Sequence, residues 1–214
     1  MLGRIGHLKL IWNHEFPRHI HWIPMLDDLI TFSLNTFDSA TSFMEKKDDS
    51  TVGAWTNVVI HTFLTERPLL DDQPCVETVS SHASNHREAT ILEACRLGVL
   101  LYMIPVWRFF GVSPVVSEVL VNNARSILDK NKDIDWGDYL WPLKLWVLYV
   151  AGVEAVSNPV NRAWFAASIS HIIIEKQLKN WDRAMEVVKI FLWFECLFKG
   201  YDEDLKRQVS EILE

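Results

Sequence analysis

Residues 143–169, LKLWVLYVAGVEAVSNPVNRAWFAASI, are apolar almost throughout, with charge only at Lys144, Glu154 and Arg162. A helix that crosses a bilayer needs about 20 consecutive apolar residues. The uninterrupted run here, 145–153, is far shorter and is followed by Glu154 and the turn signal Asn158-Pro159, so the membrane reading fails. The spacing instead predicts a helix over about 139–156 that is apolar on nearly every side, which in a water-soluble fold must be surrounded by other helices. Gly152 inside it costs about 1 kcal/mol relative to alanine. Its presence predicts that a neighbouring helix, or a ligand, packs against the bare backbone there.

Apolar residues recur at helical spacing through most of the remaining chain, and strict alternation of the strand type is nearly absent. The expected fold is all-α, a single-domain bundle of about seven to eight helices over residues 23–214, preceded by an N-terminal segment, 1–22. The 214 residues, 49% of them apolar and 23% charged, suffice to bury about 70% of the unfolded surface in one core. The predicted helices run over 24–44, over 52–64 up to Arg67-Pro68, and over 86–107. That third helix is capped near Ser84 or Asn85 and bends at Pro105. Another follows Ser113-Pro114 to about 128. Asn158-Pro159, a cap followed by proline at the first helical position, starts a helix to about 178. Asn180 caps one over 181–198, Gly200 ends it in a left-handed conformation, and 202–213 closes the chain. The polar stretch over 68–90 reads as a loop or seam.

A net charge of −7 argues against direct binding to a nucleic-acid backbone, where affinity comes from lysine and arginine displacing counterions. A protein partner or an apolar small molecule is the expected alternative, with homodimerisation through the apolar C-terminal helices as one form of it. Cys75, Cys95 and Cys196 are far apart and lack zinc-site spacing, so they are expected as reduced intracellular thiols. The N-terminus has no secretory cleavage pattern.

His14, His19 and His21 with Glu15 form a histidine-rich group around a proline, and His82 and His86 lie four apart. Both could hold a metal, but scattered surface or capping histidines are the simpler reading, and no metal or cofactor is expected. His171 and Glu175, also four apart, read as a locally paired helix face. No nucleophile elbow, phosphate loop or paired-carboxylate signature appears. Four charges sit in apolar surroundings: Arg96, Arg108, Glu154 and Glu195. A buried unpaired charge is costly, so each should find a partner, Glu154 with Arg96 or Arg162 for example, or open onto a cavity. If a cavity exists, Arg96, Tyr102, Arg108, Tyr149 and Glu154 are its polar candidates. Trp146 and Trp164 are its aromatic candidates, from a set that also includes Trp107, Trp136, Trp141, Trp181 and Trp193 and that suits plain core packing equally.

The order of LWVLYVAGVEA (145–155), NRAWFAASI (161–169) and NWDRAMEVVKIFLW (180–193), preceded by VVIHTFLTERPLL and EACRLGVLLYM, resembles the fungal-specific transcription factor domain. The likeness extends over about 52–199, roughly two thirds of the chain. It implies an all-helical regulatory region, which in that family lies C-terminal to a DNA-binding cluster of six cysteines around two zinc ions. With three cysteines this chain has no such cluster. The resemblance therefore implies an effector- or partner-binding regulatory domain without its own DNA-binding module, nuclear in location, and it carries over no catalytic residues. The alternative is a stand-alone copy recruited in specialised metabolism, cytoplasmic, holding an apolar substrate in an aromatic pocket as a cyclase- or isomerase-like enzyme. Such an enzyme would act by shaping its substrate and stabilising developing charge.

Overall fold

A helix apolar on every side is stable only inside a cage of other helices, and the computed structural model shows that cage. It describes residues 79–109, 117–191, 193 and 195–214, all within the unit Pro68–Glu214. The helices expected over 24–44 and 52–64, the Ser113-Pro114 start and the His14, His19 and His21 group lie outside the described residues, as does Cys75. Among the described residues there are seven helices and no strand: α1 Val79–Phe109, α2 Ser117–Lys130, α3 Gly137–Glu154, α4 Pro159–Glu175, α5 Trp181–Val188, α6 Glu195–Phe198 and α7 Glu203–Leu213. The all-α expectation holds.

α3 packs against α1, α2, α4 and α5, and every residue over 145–154 is buried. Two glycines let the helices approach. A Cβ on Gly152 would lie 2.9 Å from Leu205 of α7 and 3.2 Å from Cβ of Phe165 of α4, which is the neighbouring-helix contact that its mid-helix position predicts. A Cβ on Gly98 of α1 would lie 2.8 Å from the Trp146 ring and 2.9 Å from Val147. His86–Arg108 within α1 is long and apolar enough to cross a membrane, yet 83% of its most apolar window is buried against the rest of the fold, as in a core helix.

Several boundaries follow from local chemistry. Asn158 accepts a hydrogen bond from the Asn161 amide at 3.1 Å, with Pro159 at the first helical position. Asn180 accepts from the Arg183 amide at 3.1 Å, and Gly200 sits at φ +83°. The buried Asn161 also accepts from Arg125 at 2.7 Å and donates to Asn122 at 2.7 Å. These bonds tie the start of α4 to α2 through a satisfied polar network.

Three expectations are corrected. α1 begins at Val79, so Ser84 and Asn85 are interior rather than caps. Serine and asparagine are only mildly unfavourable inside helices, and the next turn is anchored by His86 Nε2 to Asn131 Oδ1 at 3.0 Å and by Arg87 donating to the Asp135 carbonyl at 2.7 Å. α1 also runs on past Pro105 to Phe109. Second, the single helix expected over 181–198 is two: α5 stops at Val188 and α6 starts at Glu195. Residues 190–194 between them are uniformly apolar, and the interruption lets Phe191 reach Trp146 and Trp193 stack on Phe198. Third, α4 ends at Glu175 rather than near 178. The Leu178 amide bonds back to Ile173 and that of Gln177 to Ile174, with Gln177 left-handed at φ 55°, a helix-ending motif that usually carries glycine at this position.

Candidate functional site

The charges embedded in apolar sequence are paired. Arg96 grips Glu93, one turn away on α1, at 2.6 and 2.7 Å. Glu154, whose side chain is only 2% exposed, is held by Arg108 at 2.9 and 3.4 Å, and Arg108 also lies 4.8 Å above the Tyr201 ring. Burial pushes the Glu154 carboxyl up from its ordinary range, and Arg108 opposes the shift. The pairing of Glu154 with Arg96 or Arg162 is thus corrected: Arg162 turns to Asp204 of α7 at 3.0 Å, and Arg96 is satisfied within its own helix. Structural ion pairing of these charges holds, with Arg108 as the partner.

Tyr102, Trp146 and Tyr149 belong to an aromatic cluster joining α1 and α3 to the α5–α6 region. Tyr102 lies 6.2 Å from Trp146 and 5.9 Å from Phe198, ring centre to ring centre. Tyr149 lies 5.4 to 6.0 Å from Trp193, Phe198 and Trp181, and its hydroxyl donates to Asp202 Oδ2 at 3.2 Å. Burial, then the Asp202 carboxylate, holds this phenol far above the ordinary tyrosine range. The rings fill one another's space. Cys95 is buried nearby in sequence, and burial raises its thiol, as an inert core thiol should behave.

The open site lies on another face of α3. Trp141, Lys144 and Leu148 share one stripe of α3, and Trp164, Ser168, His171 and Glu175 share one stripe of α4. Together with the loop after α2 that ends in Trp136, they line a groove of about 630 Å³. Of the seven sequence candidates, Trp164 lines this groove. Cations lie over all three indoles: Lys144 at 5.9 Å from Trp136, Lys176 at 6.0 Å from Trp141, and Arg125 at 5.8 Å from Trp164.

The groups around Lys144 are occupied with each other. Glu175 binds Lys176 at 2.9 Å and faces His171 at 3.8 Å, the local pairing expected from their spacing, and Lys176 holds its carboxyl below the usual range. Asp135 accepts from the Gly137 amide at 2.7 Å. Lys144 makes no hydrogen bond or ion pair among the described residues, and burial pulls its ammonium down from the ordinary lysine range, against the pull of Glu175 and Asp135. The Ser168 hydroxyl donates to the Trp164 carbonyl of its own helix at 2.9 Å, so it is not presented to His171 as a nucleophile. The groove offers tryptophan side chains beside charged ones, a lining that suits binding. Lys144 was missed as a candidate, although a lone lysine three residues after Trp141 in an otherwise apolar helix is a visible signal. Among the described residues no three histidine, cysteine, aspartate or glutamate side chains converge as a metal site would require, and His86 is engaged with Asn131.

A family model described as "Fungal specific transcription factor domain" matches residues 59–191, more than half of the chain. No curated protein and no solved structure shows a significant match.

Proposed function

Because the chain belongs to the fungal-specific transcription factor domain family, which suggests a regulatory role, we propose that it is a regulatory domain that binds an effector or partner and acts in the nucleus with DNA contacts supplied by another module. The supporting observation is the groove between α3 and α4. Its volume of about 630 Å³ suits a small molecule, while the charges and tyrosines that an enzyme would recruit are paired in the core. Binding there would bias how α4 and the loop after α2 lie against α3, and a regulatory domain needs a ligand with differential affinity for two such states.

The test is transcription from a reporter with the full chain fused to an unrelated DNA-binding domain in a fungal host. Output that depends on the fused chain, and that changes when Trp164→Ala opens the groove wall, supports the reading. Output indifferent to the chain, or to the groove, sinks it. Chemical conversion of an added apolar compound by the purified protein would favour the recruited-enzyme alternative instead.

A further inference from the structure

We infer that the groove between α3 and α4 binds a flat, apolar small molecule carrying a single carboxylate, with the anion seated on Lys144 and the apolar body against Trp136, Trp141 and Trp164. This rests on the regulatory reading and specifies what its effector looks like. Three observations lead there. First, tryptophans from three separate segments line the groove: the buried Trp136 from the loop after α2, and the part-exposed Trp141 from the first turns of α3 and Trp164 from α4. Flat faces from different elements enclose a planar body better than a branched one, and such stacking adds to plain area burial.

Second, Lys144 is a partly buried groove cation without a bonded anion, whereas Lys132, also without one, is exposed to solvent. Its three N–H donors meet no acceptor among the described residues, and its contact with the Trp136 ring at 5.9 Å is at the outer reach of a cation–π interaction. Glu175, which pairs with Lys176, and Asp135, which accepts from the Gly137 amide, act on it through space but do not bond to it. A partly desolvated ammonium gains most from a charge-assisted hydrogen bond to an anion. The lowering of its proton affinity by burial is the same desolvation seen from another side, and an arriving carboxylate reverses it.

Third, the surrounding charge limits the ligand to one negative group. Lys132, Lys144 and Lys176 line the groove together with Asp129, Asp133, Asp135 and Glu175, so carboxylates outnumber ammonium groups. A nucleotide or other polyanion would meet that acidic rim, and like charges at close range are repelled. A monoanion small enough to sit on Lys144 avoids it.

The experiment uses the whole 214-residue protein and titrates it calorimetrically with 2-naphthoate and, separately, with its neutral amide, 2-naphthamide. The carboxylate is expected to bind about tenfold or more tightly than the amide, the factor that one charge-assisted hydrogen bond supplies. Lys144→Met should erase that preference and Lys144→Arg should retain it, while Trp164→Ala should weaken both ligands. Circular dichroism confirms that each variant is folded. Equal affinity for acid and amide, or a preference that survives Lys144→Met, overturns the inference. So does the absence of binding by either compound at about 1 mM, a concentration that detects even a weak site. These failures leave the regulatory reading standing if the reporter still responds to Trp164→Ala. A reporter indifferent to the groove, with naphthoate bound through Lys144, would retain the ligand class and remove the regulatory role.

Discussion

On one face of α3, Trp146 and Tyr149 meet Tyr102, Trp181, Phe191, Trp193 and Phe198. On another, Trp141 and Lys144 face Trp136 and Trp164 across a groove. The residue types are nearly the same and the outcomes are opposite. The first set is closed because α5 breaks before α6, which brings Trp193 flat onto Phe198 at 4.7 Å. The second stays open because the stripe of α4 that faces it carries small and polar residues, Ala167, Ser168 and His171. Aromatic abundance therefore does not mark a binding site. What decides is whether the opposing element supplies enough volume to fill the space.

The contrast is most exposed to failure at the closed side. Trp146→Ala should lower folding stability by about 3–5 kcal/mol, the range for a large aromatic removed from a core, whereas Trp164→Ala should cost about 1 kcal/mol, as befits a partly solvated wall. Denaturant midpoints of the two variants measure this directly. Equal losses would mean that the groove is as much a packed core as the cluster is.

Next in size is the ion pair beside the cluster. Arg108→Met leaves the Glu154 carboxylate buried without its partner and should cost about 3 kcal/mol near neutral pH. A carboxyl whose folded value is raised binds more protons folded than unfolded. The stability of this variant is therefore highest below the unfolded value of about 4.3 and is lost as pH rises through the raised folded one. Wild type should show a smaller loss over the same window because Arg108 opposes the shift. Denaturation curves taken at several pH values separate the two, and a pH-independent deficit would show that Arg108 acts through packing alone.

Gly98→Ala probes the close approach that seats Trp146. The new methyl would sit 2.8 Å from the indole and 2.9 Å from Val147. Overpacking typically costs about 1–3 kcal/mol, against a gain of about 1 kcal/mol in helix propensity. A net loss of up to about 2 kcal/mol is expected, read as a lowered thermal midpoint, with naphthoate affinity unchanged because the groove is on another face.

How much of this was legible in the sequence depends on whether the signal was local. The starts of α4 and α5 were, because Asn158-Pro159 and Asn180 cap their own helices. So were the enclosed character of α3 and the reason for Gly152. The early start of α1 was not, since Ser84 and Asn85 favour caps locally and are overridden by contacts to residues 45 and 48 positions away. The break between α5 and α6 was hidden because the five residues 190–194 are uniformly apolar and have no period to lose. Partner choice for Glu154 depends on a 46-residue separation, which composition does not encode. For the site, the tryptophans were visible as a class, but nothing in spacing alone told Trp164, on the groove, from Trp146, in the core.

Two smaller effects should have the opposite sign. Lys144→Met removes a partly desolvated cation and should raise stability by about 1 kcal/mol, modest because solvent still reaches the groove. A lysine whose folded value is lowered binds fewer protons folded than unfolded. Wild type should therefore gain stability as pH climbs from that lowered value toward about 10.4, the ordinary lysine value, and the variant should lack this slope. Should Lys144→Met prove destabilising, Lys144 is a packing residue, and the groove would lose the feature that separates it from the cluster.

The smallest effect lies at the groove's edge. Gln177 holds a left-handed φ of 55° where the chain leaves α4, two residues past Glu175, and a side chain there is strained by its Cβ. Gln177→Gly relieves that strain but enlarges the freedom of the unfolded chain, so a net gain of about 0.5 kcal/mol is expected. Its value lies in what it leaves alone. The cluster around Tyr149 is untouched, while the backbone holding Glu175 and Lys176 against the groove is fixed more firmly. Hydrogen exchange should therefore slow at the last turn of α4 beyond the global gain and stay parallel to it at α3. A uniform slowing would mean that groove and cluster open as one cooperative unit, and the distinction between a rigid core face and an adaptable binding face would then be one of shape and not of dynamics.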